Sequence, residues 1–217
     1  MESTMPVVES FHSLQGEGAH TGQSAFFIRL GGCKVGCTWC DTKSSWPINN
    51  HPQVSINKLS EEAEIARCNG AVFVVITGGE PLHHDLNALC EAIRKATMNH
   101  QTKPMPIHLE TSGVNKITGH PNWITLSPKR HAPPLKEVLT ACQELKVVIH
   151  ETADLIFAEK MADYIVNSKR QRNNNKSLLF LQPGWNSQEG KKITYEYVKR
   201  HPKWKLSIQT HKWLGVL

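Results

Sequence analysis

Apolar positions along the chain gather in short runs, and most of these runs have one of two lengths. The stretches 24–30 (SAFFIRL), 72–77 (VFVVIT), 107–111 (IHLET), 124–127 (ITLS), 145–149 (LKVVI) and 178–182 (LLFLQ) have strand length, and each closes on a polar, Gly or Pro signal. Near-continuous apolar runs of this kind predict strands buried on both faces, as in parallel sheets. Between them, 60–68 (opening on the cap-like S-E-E-A-E), 86–98 and 153–164 space their apolar residues as helices do. A last strand-like run, 205–209 (KLSIQ), lies close to the C-terminus. Strand and helix alternate without an internal repeat or a low-complexity segment. The prediction is an α/β domain spanning 1–217: a partial, open TIM-like barrel of about six parallel strands. Because 41–56 (DTKSSWPINNHPQVSI) is short for a crossover helix, loop is expected there, and the helix set is reduced.

In such folds ligands collect at the carboxyl ends of the strands. Here those ends carry TGGEP at 77–81, ETSG at 110–113, SPK at 127–129, LQPGW at 181–185 and QTHK at 209–212. Each alone reads equally well as a turn: GGEP as a strand-to-helix corner, ETSG as a turn with Gly113 at positive φ, SPK as a Pro-fixed bend. Together, on one rim, they point to a site.

Composition changes the picture little. At 39% hydrophobic and 20% charged residues, the chain has enough apolar content for a packed core and no need of disulfides. It shows no signal-peptide pattern at its start and no apolar run long enough to span a membrane, so a cytoplasmic protein is expected. A net charge of +6 is mildly basic and suits an anionic small substrate. The one dense basic patch, 169–176 (KRQRNNNK), reads as a solvated loop, and no nucleic-acid or membrane partner is expected.

The cysteines say more. Three of the six stand at Cys33, Cys37 and Cys40 (CKVGCTWC), directly after the first of the strand-like runs. In a reducing compartment clustered thiols are metal ligands or redox groups more often than disulfides. Structural zinc wants four ligands, and no second CxxC or HxxxH pair follows. Cys68, Cys90 and Cys142 sit in helix-like apolar patterns as packed thiols. Three thiolates alone leave a position open, which in a 4Fe-4S cluster frees one iron to bind a ligand. Spacing by itself leaves zinc and iron-sulfur both standing.

The triplet resembles the CxxxCxxC motif of the radical S-adenosylmethionine enzymes, and Gly78-Gly79-Glu80-Pro81 resembles their GGEP element. Further blocks, FHSLQGEG at 11–18, FIRL at 27–30, CDT at 40–42, ETSG, SPK, LQP at 181–183 and the terminal QTHK, are similar to the 7-carboxy-7-deazaguanine synthase family. The resemblance implies a lyase of queuosine and 7-deazapurine biosynthesis. One electron from the cluster would cleave S-adenosylmethionine, hydrogen would leave C6 of 6-carboxy-5,6,7,8-tetrahydropterin, and ring contraction with loss of ammonia would give 7-carboxy-7-deazaguanine. No side chain need act as the catalyst. Cluster ligation falls to Cys33, Cys37 and Cys40, and S-adenosylmethionine contacts to Gly79, Glu80, Glu110, Ser127 and Lys129.

For the substrate, the resemblance points to Leu14, Gln15, Gly16, Glu17, Arg29, Thr77, Gln182, His211 and Leu217, the last through its terminal carboxylate. Chemistry agrees for two of them. The 2-aminopyrimidinone edge offers adjacent N–H donors that the Glu17 carboxylate can accept in pairs, and the substrate carboxylate suits a guanidinium fork. Arg29 sits inside an apolar strand, where a charge is costly unless paired. Thr42 is the implied ligand of Mg²⁺, which spacing alone does not reveal. The family also implies a homodimer and an electron donor such as flavodoxin. Two rivals explain less: a zinc-binding nucleic-acid module leaves the rim motifs unexplained, and a glycyl-radical activase gives no reason for Glu17, Arg29 and His211 to converge.

Overall fold

The computed structural model describes residues 3–98, 103–172 and 176–216. Its sheet has nine strands in the order β3-β1-β2-β4-β5-β6-β7-β8-β9, open rather than closed. All six expected strands are present, as β2 (Ser24–Leu30), β4 (Phe73–Gly78), β5 (Ile107–Thr111), β6 (Trp123–Leu126), β7 (Glu144–Ile149) and β8 (Leu178–Pro183), each parallel to its neighbour.

Three further strands flank them. β1 (Thr4–Leu14) pairs antiparallel with β2, with an irregularity between Val7 and Glu9, and the short β3 (Gln53–Ser55) pairs with β1. β1 is half-buried and mixes polar with apolar residues, so it offers no apolar run to predict it from. The terminal run expected at 205–209 shrinks to β9 (Lys205–Leu206). Beyond it only Ser207 N still reaches the Leu181 carbonyl, at 2.9 Å.

The helices are α1 (Ile56–Cys68), α2 (Asn87–Thr97), α3 (Lys136–Ala141), α4 (Thr152–Arg172), α5 (Gln188–Arg200) and α6 (Thr210–Leu214). α1 starts earlier than the S-E-E-A-E signal suggests. Its N-cap is Ser55, whose hydroxyl accepts from Lys58 N at 3.2 Å, while Ser60 lies inside the helix and donates to the Asn57 carbonyl. The segment before α1 forms two 3₁₀ turns, Lys43–Ser45 and Ile48–Asn50, and no α-helix, as expected. No helix among the described residues is long and apolar enough to cross a membrane.

Period-2 alternation divides the sheet into two faces. One set, including Phe26, Ile28, Leu30, Val74, Ile76, Ile107 and Leu109, packs with Leu59 and Ala63 of α1 and Leu89 and Ile93 of α2. Ile124, Leu126, Leu145, Val147, Ile149 and Leu181 continue it against Leu155, Ala158 and Met161 of α4. Each such fully buried aliphatic side chain contributes about 1.5–3 kcal/mol. The alternate positions lie on the other face: Arg29, Thr77, Glu110, Thr125, Glu144, Lys146 and Gln182 all have aliphatic neighbours in the core just named. Thus the strands bury one set of apolar residues under the helices and send one or two polar side chains each to the opposite side, where Ala25, Phe27, Phe73 and Val75 form a smaller apolar cluster.

Candidate active site

At the carboxyl ends of the strands those polar side chains meet the loop after β2 in one cleft, lined among others by Glu17, Cys33, Cys37, Cys40, Glu80 and Lys146. Two halves can be distinguished within it.

In the first half, the chain leaving β2 turns through the three thiols. Its backbone is tied down by Gly32 N to Ser45 O (2.7 Å) and Cys33 N to Trp46 O (3.1 Å). The GGEP turn packs directly beneath: Gly79 N donates to Leu30 O at 2.8 Å and Glu80 N to Gly32 O at 2.9 Å. A Cβ at Gly79 would stand 2.4 Å from the Gly32 carbonyl oxygen, so this approach requires glycine. Four histidines also hold the loop backbone: His84 at Gly31 O (2.8 Å), His83 at Lys34 N (3.1 Å), His131 at Val35 O (3.1 Å) and His51 at Ser44 O (3.0 Å). None of the four is signalled by spacing.

All three thiols are free of disulfides. Burial pushes the Cys33 and Cys37 thiols up, with Lys129 opposing this at Cys37. Ionised sulfur at these positions therefore calls for a positive body between the thiols, as a bound iron-sulfur cluster provides. Among the described residues, no group of three His, Cys, Asp or Glu is gathered as for a single metal ion. Three unpaired thiols on one cleft wall fit a cluster held by three cysteines.

Glu80 is 2% exposed and fully engaged. Its carboxylate accepts from Thr111 Oγ1 (2.5 Å), Ser112 N (2.8 Å), Ser112 Oγ and Leu82 N (3.1 Å), so it welds the GGEP and ETSG turns together. Lys129 donates to Ser127 Oγ at 2.8 Å and lies 5.0 Å over the Trp39 ring. Burial lowers its pKa against the pull of Cys37 and Glu80.

In the second half, Glu17 is central. Its Oε2 pairs with Lys146 Nζ and its Oε1 accepts from Gln209 Nε2 at 2.9 Å. Burial alone would raise the Glu17 pKa, but the Lys146 ammonium and these hydrogen bonds hold it well below the usual carboxylate range. Lys146, with a side chain 5% exposed, is likewise held protonated against burial by Glu17, Glu110 and Glu144. Gln15 accepts from Glu17 N at 3.1 Å and donates to Glu110 Oε1 at 3.0 Å, while Thr77 Oγ1 donates to Glu110 Oε2 at 3.0 Å. Glu110 therefore ties Thr77 of β4 to Gln15 beside Glu17.

Gln182 accepts from Ser207 Oγ at 2.8 Å. His211 packs on Gly16, where a Cβ would stand 2.1 Å from Nδ1; burial lowers the pKa of this imidazole, with Glu17 opposing.

The remaining expected residues lie apart. Arg29 is beside Thr77 in register but donates from Nε to Glu9 at 2.7 Å, outside the cleft lining. Leu14 is 41% exposed at the end of β1. Thr42 is half-buried, with Oγ1 3.6 Å from Cys40 Sγ. Leu217 lies outside the described residues, as does much of the basic 169–176 patch. Lys146 is the main polar lining residue not anticipated, and Gln209 enters the sequence reading only as part of the QTHK block. The available signal for Lys146 was a lone lysine in an apolar strand, the same feature that picks out Arg29.

The signature of the Radical SAM superfamily matches residues 27–156. Over all of both chains the protein is 60% identical to 7-carboxy-7-deazaguanine synthase of a Prochlorococcus marinus strain. It is 32% identical to the enzyme of that name from Escherichia coli K12, over 97% of this chain and 98% of the other. The crystal structure of QueE from Escherichia coli superposes with a TM-score of 0.73 at 31% identity, covering 95% of this chain and 94% of that one.

Proposed function

Because the chain belongs to the radical S-adenosylmethionine superfamily and, within it, to the 7-carboxy-7-deazaguanine synthase family, we propose that it is a lyase of queuosine biosynthesis converting 6-carboxy-5,6,7,8-tetrahydropterin to 7-carboxy-7-deazaguanine and ammonia. The observation that carries this reading is the single cleft lined both by three free thiols and by a largely buried carboxylate, Glu17, paired with the buried Lys146. When bound, the 4Fe-4S cluster and S-adenosylmethionine supply the one-electron chemistry that removes hydrogen from the substrate.

The chain's own residues bind, orient and exclude water. Cys33, Cys37 and Cys40 hold the cluster, and Lys129 meets the methionine carboxylate beside Ser127. Gly79, Glu80 and Glu110 shape the S-adenosylmethionine wall, Glu80 by fixing the Thr111–Ser112 turn rather than by offering a free oxygen. Glu17 keeps lone pairs available on both oxygens after pairing with Lys146 and Gln209, and accepts the adjacent N–H groups of the pterin edge. Gln15, Gly16, Thr77, Gln182 and His211 complete that wall, with Leu14 and the Leu217 carboxylate at its margin. Arg29, on the same strand face, takes the substrate carboxylate by exchanging its Glu9 partner. Trp39 and Trp185 line the same cleft and reduce its access to water.

Mg²⁺ fits as an ion carried largely by substrate and water, with Thr42 as a single protein ligand, since Mg²⁺ retains several waters and takes few protein oxygens. We read the whole chain as one domain working in the cytoplasm as a homodimer, reduced by a donor such as flavodoxin. Anaerobic incubation of the reconstituted protein with dithionite, S-adenosylmethionine, Mg²⁺ and the pterin tests the substrate. The reading expects 7-carboxy-7-deazaguanine by mass spectrometry; 5′-deoxyadenosine without that product overturns the substrate and leaves the superfamily intact.

A further inference from the structure

The short C-terminal helix α6 is fastened at three places, and they belong to different parts of the cleft. At its start, Thr210 N and Thr210 Oγ1 both donate to the Gly16 carbonyl at 3.0 Å, next to Glu17. Two residues on, Lys212 reaches the opposite way and pairs through Nζ with Asp41, the residue after Cys40. The same ammonium lies 4.8 Å over the ring of Trp185, in the loop between β8 and α5. Asp41, Trp185 and Gln209 all line the cleft. With one clasp from Thr210 to Gly16 and another from Lys212 to Asp41, three residues of this five-residue helix span from the substrate wall to the thiol loop.

A helix this short has no stability of its own, so its position is set by these ties. Anything that orders one end lowers the cost of ordering the other, and linkage makes the effect reciprocal. We propose that Asp41 and Lys212 are positioning residues that couple the substrate wall to the thiol loop, so that pterin and S-adenosylmethionine bind cooperatively. This rests on the reading above that Glu17 and His211 face the pterin and that the thiol loop adjoins S-adenosylmethionine. Lys212 is not a loose surface cation: its side chain is 20% exposed and stacked on an aromatic ring, whereas Asp41 is 52% exposed. Partial exposure puts the coupling at the low end of the usual range, about fivefold.

The test uses reconstituted anaerobic holoenzyme and measures S-adenosylmethionine affinity with and without 6-carboxytetrahydropterin. The pterin should tighten S-adenosylmethionine binding about fivefold in the parent protein. Lys212→Met and Asp41→Asn should each bring that factor close to one, and the charge swap Asp41→Lys with Lys212→Asp should restore most of it. A second readout needs no cofactor: amide hydrogen exchange over 33–41 in the unreconstituted chain should quicken in Lys212→Met and not in the remote control Lys199→Met. A coupling factor that survives in both single variants, or loop exchange that Lys212→Met leaves unchanged, overturns the proposal. If the parent protein binds no pterin at all, the assignment of the substrate wall fails separately, and loop exchange alone decides the clasp.

Discussion

The two ends of the sheet face turned away from α1, α2 and α4 solve the burial of polar groups in opposite ways. At the carboxyl end, carboxyl side chains are retained and three of them have partners: Glu17 with Lys146 and Gln209, Glu110 with Gln15 and Thr77, Glu80 with the Thr111–Ser112 turn. At the amino end, rings fill the space. His108 stacks on Phe73 with centroids 4.1 Å apart, and His20 packs edge-on against Trp123 at 4.6 Å. Burial holds His108 at a pKa of about 3, with His20 adding to the effect, and burial also lowers His20. One end keeps its polar groups in a defined geometry, and the other is filled mainly by rings, with the buried Glu144 carboxyl accepting from Ala19 N at 3.1 Å and pushed up in pKa by burial. A site for anionic and zwitterionic ligands at the first end and a plug at the second follow from that contrast.

The sharpest way to break the contrast is at the thiols. Cys37→Ala should abolish product formation and cut the iron retained after reconstitution, read by iron and sulfide assay, while leaving the far-UV circular dichroism unchanged. Next comes the ion pair. Lys146→Met strands the largely buried Glu17 carboxylate and should cost about 3 kcal/mol in urea unfolding. The same variant frees burial to raise the Glu17 pKa, so pterin affinity should fall away with acidification at a higher pH than in the parent, measured by calorimetry across pH 5 to 8.

The plug gives an effect that is small at each pH step and of defined sign. His108 is neutral when folded and titrates near 6.5 when unfolded, so between those values the unfolded chain binds the extra proton. Stability should therefore drop as pH falls from 6.5 towards about 3, by up to about 1.4 kcal/mol per pH unit. His108→Phe keeps the stack on Phe73 and should flatten that slope in denaturant titrations. The smallest effect is local: Gly16→Ala pushes His211 from its seat and should raise the KM for pterin about tenfold, equivalent to about 1.4 kcal/mol, with little change in thermal stability.

What was legible in the chain, and what was not, follows the same division. Strands β2 and β4–β8 announce themselves because burial on both faces demands apolar runs. β1 stays hidden because an antiparallel strand of a hairpin tolerates polar residues such as Glu9 and His12. α5, with Lys191, Lys192 and Lys199 among few buried residues, lacks a strong apolar stripe, and its Ser187 cap shows only in the hydrogen bond accepted from Gly190 N. At the site, the thiol triplet and the strand-end motifs can be read from one dimension, since each is a local string. Lys146 could have been suspected from its apolar setting, but its partner Glu17 is 129 residues away. The Asp41–Lys212 clasp, 171 residues apart, leaves no trace in local pattern. Glu80 shows the reverse limit: a motif residue is found easily, but only the fold reveals that its oxygens are occupied.

The central claim is that one cleft holds two separable halves, thiols for the cofactor and the Glu17 wall for the pterin. The most direct measurement quantifies 5′-deoxyadenosine and 7-carboxy-7-deazaguanine together, in one anaerobic reaction, for the parent protein, Cys37→Ala and Glu17→Gln. The account predicts both products from the parent, neither from Cys37→Ala, and 5′-deoxyadenosine with little or no deazaguanine from Glu17→Gln. Undiminished deazaguanine from Glu17→Gln would contradict it.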